Sequence, residues 1–194
     1  DHVLAARLAG ASSPRSAFIS HSPESTWDGT TYPETFQIDN TAYKSEVIFK
    51  AGGKTVDHTT AAALCPLNWN GNKYSCPNAA ALKEVLKTLD AVFDDAYPAG
   101  GDFVAYTFDT FKTRYQLSAA DVSSGDFPFL TSSRVYRTDK RLAPATSWGA
   151  YGTDFFESAI PHADIFLNDV AKVLVPNNYP TYTTRFIRDI AAGE

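Results

Sequence analysis

The chain has 194 residues, 44% of them hydrophobic and 20% charged, with a formal net charge of −5. That length fits one domain or a little more, and the apolar content is enough to bury a core without metal ions. The acidic balance argues against a general nucleic-acid binder, which needs a basic face to neutralise phosphates, while leaving room for a small anionic ligand on a local basic patch.

The chain opens Asp1-His2 with no long apolar core and contains no methionine, so it reads as a processed mature chain or a fragment. No stretch approaches the roughly 20 apolar residues that span a bilayer. His2 to Leu8 reads as the end of a helix, stopped by Gly10 and the Ser12-Ser13-Pro14 turn. Arg15 to Ser20 is a short buried strand, and a long loop from Ser22 to Pro33 carries Trp27 and Tyr32. Thr41 to Ala51 is helical and ends at Gly52-Gly53, where glycine supplies a left-handed cap.

Cys65 and Cys76 enclose a polar, aromatic, turn-forming segment, and a proline follows each cysteine. A disulfide here stabilises by about 3 kcal/mol in the chain-entropy model, and it points to an oxidising compartment. Two unpaired thiols are the alternative; zinc lacks a second pair of ligands.

The clearest helix runs from Asn78, a side-chain cap, to Leu89, with Leu82, Val85, Leu86 and Leu89 on one face. It leads into a strand, Ala91 to Asp95. A further helix is expected from Asp102 to about Tyr115, with Val104, Phe108, Phe111 and Tyr115 as its apolar stripe. Arg134 to Arg137 is another short strand. The last long helix starts near Pro161, buries Ala163, Leu167, Val170 and Leu174, and stops at Pro176. Thr183 to Ile190 is a final strand or a short helix. Alternating strands and helices imply an α/β fold of three layers, a mainly parallel sheet flanked by helices. Ligands on such sheets bind at the carboxyl ends of the strands, which singles out the loops after Ser20, Asp95 and Arg137.

The chemistry-bearing residues are scattered. Arg134, Arg137, Lys140 and Arg141 place four cations within eight residues, and arginine's planar fork suits oxyanions; a solvated face paired with Asp139 explains the cluster equally well. His21, Asp57 and His58 do not add up to the three or four converging ligands a bare metal ion needs. Asp94 and Asp95 are strand neighbours that point to opposite faces, so they do not share a substrate. No nucleophile elbow, phosphate-binding loop or zincin motif is present, and the expectation is a protein without catalytic residues, although a dispersed site leaves no local trace.

The stretch Phe127-Pro128-Phe129-Leu130 through Arg134-Val135-Tyr136-Arg137, then Asp154-Phe155-Phe156-Glu157-Ser158, then Pro161 to Pro176, resembles the C-terminal lobe of iron-siderophore, haem and vitamin B12 binding proteins. These serve ABC importers and have two lobes joined by one long helix. The strand before Trp27, the Lys50-Ala51-Gly52-Gly53-Lys54 helix end and the Ala91-to-Tyr97 strand extend the likeness over most of residues 14–190. The resemblance implies a Rossmann-like periplasmic-binding-protein lobe at 14–194, with residues 1–13 as the tail of the connecting helix and an insertion at about 57–77. It implies a periplasmic or extracellular location and a ligand that is a ferric siderophore-, haem- or corrinoid-like chelate, with no resident cofactor. It also implies two partners: an N-terminal lobe that is absent, cleaved off or carried on another chain, and an ABC permease. On this sequence the ligand-gripping rings fall at Trp27, Tyr32, Tyr97, Trp148 and Tyr151, the basic groups at Arg137 and Arg141, and a permease-docking acid at Glu46. A lobe without its partner can also have become a structural or interaction subunit of an extracellular assembly.

Overall fold

The computed structural model describes residues 13–68, 70–143, 152–154 and 158–194. In chain order these form β1 (Ser16–Ser22), β2 (Ser25–Trp27), β3 (Thr30–Tyr32), β4 (Thr35–Asp39), α1 (Ala42–Lys50), α2 (His58–Leu64), β5 (Lys73–Cys76), α3 (Ala79–Leu86) and β6 (Ala91–Asp94). There follow α4 (Phe108–Arg114), α5 (Ala119–Ser123), α6 (Pro128–Thr131), β7 (Val135–Arg137), β8 (Leu142–Ala143), β9 (Gly152–Thr153), α7 (Ala163–Leu174) and β10 (Arg188–Asp189). The inter-lobe tail expected at residues 1–13 lies almost wholly outside the described residues.

One six-stranded sheet organises the chain, in the order β10-β7-β6-β1-β4-β5. β1 pairs in parallel with β6, and β6 with β7; β4 and β10 run antiparallel to their neighbours, and β5 turns back to the common direction. β1 and β6 are apolar on both sides because both faces of the sheet are covered. Along them the two-residue period sorts the side chains into two cores. Ile19, Val92 and Val135 join Leu82, Val85 and Phe111 of α3 and α4 on one face. Phe18, Phe93 and Tyr136 join Ile48, Phe166 and Val170 of α1 and α7 on the other, with the rings of Phe18 and Phe93 stacked 4.6 Å apart. This is the three-layer α/β arrangement expected.

Several elements differ from expectation in instructive ways. The 102–115 helix begins only at Phe108, where Thr107 and Thr110 form a reciprocal capping box. Before it, Gly100 and Gly101 take left-handed φ values of 67° and 74°, and the chain turns so that Phe103 and Tyr106 are buried while Val104 is exposed. In α7 the buried stripe is Phe166, Val170, Val173 and Leu174; Ala163 is exposed and Leu167 half-buried. The loop after β1 contains a hairpin, β2 with β3, around Asp28-Gly29 at φ 44° and 78°. Both central residues lie in the left-handed region, as a two-residue hairpin turn of this kind requires.

The cysteine segment contributes the edge strand β5, and Cys65 and Cys76 are disulfide-bonded and buried. The unpaired-thiol alternative is thereby set aside. The segment before β5 folds back along it, with Ser75 N donating to Pro66 O at 2.9 Å and Asn68 N to Lys73 O at 2.8 Å. Those bonds satisfy groups that an open sheet edge would expose.

Candidate functional site

From β1 the chain moves to β4 on one side, and from β6 it moves to β7 on the other. The split between β1 and β6 is therefore a topological switch point, where the connections diverge and leave a crevice beyond the carboxyl ends of the strands. A cavity of about 290 Å³ occupies that place. Its floor is the α1 side of the sheet, with Phe18, Ser20 and Thr138; Asp39 and Lys73 close one side, and Tyr97 and Phe103 the other.

Lys44, one residue past the second position of α1, reaches across this floor. Its ammonium lies 4.9 Å from the centroid of Phe18, donates to Asp39 at 3.1 Å, and makes a short bond to Asp95. Asp95 also accepts from Thr138 Oγ1 at 2.7 Å, and Asp39 accepts from the backbone N and the hydroxyl of Thr41. Burial pulls the Lys44 amine down, but Asp95 and Asp39 outweigh it and its pKa ends above the ordinary lysine value. Burial pushes the Asp39 carboxyl up, but Lys44 and Thr41 outweigh that, and it ends below the usual carboxylate range. Lys44 is thus a fixed cation rather than a nucleophilic amine, and Asp39 a fixed anion rather than a proton donor.

Under the crevice lies a second ionic layer. Asp94 accepts from Arg137 Nη1 at 2.5 Å and from the hydroxyl of Tyr115 at 2.7 Å. The other guanidinium nitrogens of Arg137 donate to Asp139 at 2.6 Å and to Ala96 O at 3.0 Å. Arg188 of β10 completes the layer through Asp139 at 2.6 Å and Phe103 O at 3.0 Å. These bonds to Ala96 and Phe103 anchor both ends of the segment that carries Tyr97.

Of the residues singled out in the sequence, the structure brings Tyr97 and Arg137 to the crevice. Tyr97 stands at the rim, 63% exposed and edge-on to Phe103 at 5.2 Å. Arg137 is 2% exposed, and each nitrogen of its fork has a protein acceptor, so it braces the floor. Arg141 does not line the cavity: it pairs with Asp154 at 3.2 Å and lies 5.8 Å from the ring of Phe186. Trp27 and Tyr32 lie on the β2–β3 hairpin, 73% and 50% exposed; the register puts both on one face, and neither lines the cavity. Glu46 is on the exposed side of α1, paired with Lys50 at 2.7 Å. Trp148 and Tyr151 lie outside the described residues.

The remaining cations of the basic cluster are held elsewhere, Arg134 by Val173 O at 2.6 Å and Lys140 by Glu194 at 3.0 Å. With Lys172 they border a wider hollow of about 480 Å³ beside α7. Asp57 caps α2 through Thr60 N, His58 meets the Tyr74 hydroxyl at 2.6 Å, and His21 meets Glu34 at 2.8 Å. Among the described residues no three His, Cys, Asp or Glu side chains are grouped to hold a metal ion, and no helix is long and apolar enough to cross a membrane.

Sequence reasoning did not name Asp39, Lys44 or Lys73, and it reached Ser20 and Thr138 only through the loops after Ser20 and Arg137 that the strand-end rule singled out. The one available signal was position: Ser20, Asp95 and Thr138 stand at or just beyond the ends of the parallel strands.

No family model matches the sequence, and no curated protein does. Among solved structures, the crystal structure of an ABC transporter substrate-binding protein from Listeria monocytogenes EGD-e is similar over 91% of this chain, at 14% identity and a TM-score of 0.44. The chain spans about half of that protein's length, 54%.

Proposed function

We propose that this chain is an extracytoplasmic solute-binding lobe that holds a small ligand in the crevice between β1 and β6 and releases it without bond chemistry. The observation that carries this reading is the cavity at the switch point, with an aromatic rim at Tyr97 and a fixed set of donors and acceptors on its floor. A few convergent polar groups in an otherwise apolar hollow are what small-molecule sites share. The absence of catalysis in this reading is supported by the charge state of the site: Lys44 is held protonated and Asp39 ionised, so neither is poised for proton transfer near neutral pH. The disulfide supports a periplasmic or extracellular setting. The sequence resemblance adds a metal chelate as cargo, ferric siderophore-, haem- or corrinoid-like, and an ABC permease as the recipient.

Fluorescence titration with ferric siderophores, haem and cobalamin tests the reading. Saturable quenching that Tyr97→Ala removes and Trp27→Ala leaves intact is the expected result. Absence of quenching by every member of the set would overturn the metal-chelate cargo.

A second reading, a structural or interaction subunit, is favoured by the hairpin, which presents Trp27 and Tyr32 together to solvent. Concentration-dependent self-association lost in Trp27→Ala would select this reading.

A further inference from the structure

The charged groups lining the crevice balance one another. Lys44, Lys73 and Arg137 stand against Asp39, Asp95 and Asp139, and among the described residues no other lysine, arginine, histidine, aspartate or glutamate lines it. Arg137 and Asp139 are bonded to each other and to Asp94 and Arg188, below the floor. Lys44 is clamped between two carboxylates. Lys73 donates to the neutral Gln37 Oε1 at 3.1 Å and sits opposite Asp39 in the β4–β5 register. The charges sum to zero: an anion entering here meets one cation without a carboxylate partner, Lys73, and lies beside the carboxylates of Asp39 and Asp95, so its desolvation is offset only in part.

What the crevice does offer is hydrogen bonding of both senses. Lys44 and Lys73 have ammonium hydrogens beyond the bonds they make, Asp39 and Asp95 have lone pairs to spare, and the Ser20 hydroxyl is half-buried with both roles open. A group that is donor and acceptor at once, a hydroxyl above all, uses such a mixed set fully; a carboxylate or phosphate uses only its donors. Beside the polar floor stands the exposed ring of Tyr97, held edge-on by Phe103, which presents a flat apolar surface.

We infer that the ligand is uncharged where it enters the crevice, an array of hydroxyl and carbonyl oxygens next to a flat apolar face. This rests on the binding-lobe reading and narrows its cargo, away from the anionic chelates that the basic cluster in the sequence suggested. Two sources supply this chemistry: a sugar ring, or the organic shell of a net-neutral chelate.

Calorimetric titration of the full chain distinguishes them, with maltose and a neutral gallium trihydroxamate as uncharged probes and a trianionic gallium tris-catecholate and haem as anionic ones. Expected is binding of at least one uncharged probe, with a Kd that changes less than threefold between 50 and 500 mM salt and weakens tenfold or more in Tyr97→Ala. Maltose alone selects the sugar source, and the trihydroxamate alone the chelate. In Asp39→Asn, checked for folding by circular dichroism, the crevice gains net positive charge and affinity for the tris-catecholate rises. Salt-sensitive binding of an anionic probe, tighter than either uncharged one and lost in Tyr97→Ala, overturns the inference and leaves the binding lobe standing. No heat from any of the four probes overturns both.

Discussion

Asp94 and Asp95 are adjacent in sequence and serve opposite faces of the sheet: Asp94 joins Arg137 and Tyr115 beneath the crevice, and Asp95 joins Lys44 and Thr138 on its floor. The strand's two-residue alternation turns one acidic dipeptide into a brace and a site residue. The two substitutions are therefore expected to separate stability from binding.

Asp94 is fully buried and Arg137 nearly so. Removing one partner of such a pair leaves the other charge uncompensated and costs about 3–5 kcal/mol. Asp94→Asn and Arg137→Met should each lower the unfolding free energy, read from urea denaturation, by an amount in that range. Asp95→Asn should cost far less stability and instead weaken ligand binding. Equal loss of stability at both positions would contradict the division.

The Lys44–Asp39 pair predicts a pH window. A carboxylate whose native pKa is depressed contributes stability that is whole above its unfolded value of about 3.9 and fades as pH falls through the lower native value. A lysine whose native pKa is raised contributes stability that is whole below about 10.4 and fades as pH rises through the higher native value. The destabilisation caused by Lys44→Met should be constant between pH 5 and 9 and shrink below pH 4. Denaturation of both proteins across that range checks it.

Cys65 and Cys76 close the segment that covers the β5 edge. The double change to serine should cost about 2–4 kcal/mol and loosen the 66–75 backbone. Faster amide exchange at Lys73 and Ser75, with β6 unaffected, is the expected pattern.

Gly53 lies where the end of α1 meets α7, and a Cβ there would come within 2.7 Å of Leu174 Cδ1 and 3.1 Å of Pro14 O. Gly53→Ala should destabilise by about 1–3 kcal/mol through overpacking. Leu174→Val should recover only part of this, because the Pro14 carbonyl cannot withdraw. A thermal melt of the single and double variants reads the difference.

Much of the fold was legible because its signals are local. The apolar run at Ala17 to Ile19, the Asn78 cap and the Leu82–Leu86 face each announce an element in a few residues, and the Asn78 side chain does accept from Ala81 N at 2.9 Å. The Asp28-Gly29 hairpin was equally local and was passed over because the strands beside it are short and polar. The 102–107 turn was misread because Phe103 and Tyr106 enter the core from irregular backbone, so a helical period fitted to Val104 tracked the wrong face. The site was less legible for a different reason. Lys44, Asp39 and Asp95 meet through the β4 register and the position of α1, at separations as long as 51 residues. Arg137, conversely, has the chemistry of an anion ligand and is consumed by carboxylates that only the fold brings to it.

Amide chemical-shift mapping tests the central claim most directly, using the full chain with gallium trihydroxamate and with maltose in turn. Shifts concentrated at Ser20, Asp39, Lys44, Ala96, Tyr97 and Thr138 are what a ligand between β1 and β6 produces. Shifts confined to the Arg134–Lys172–Thr184 hollow or to the β2–β3 hairpin, with those six amides unmoved, would contradict it.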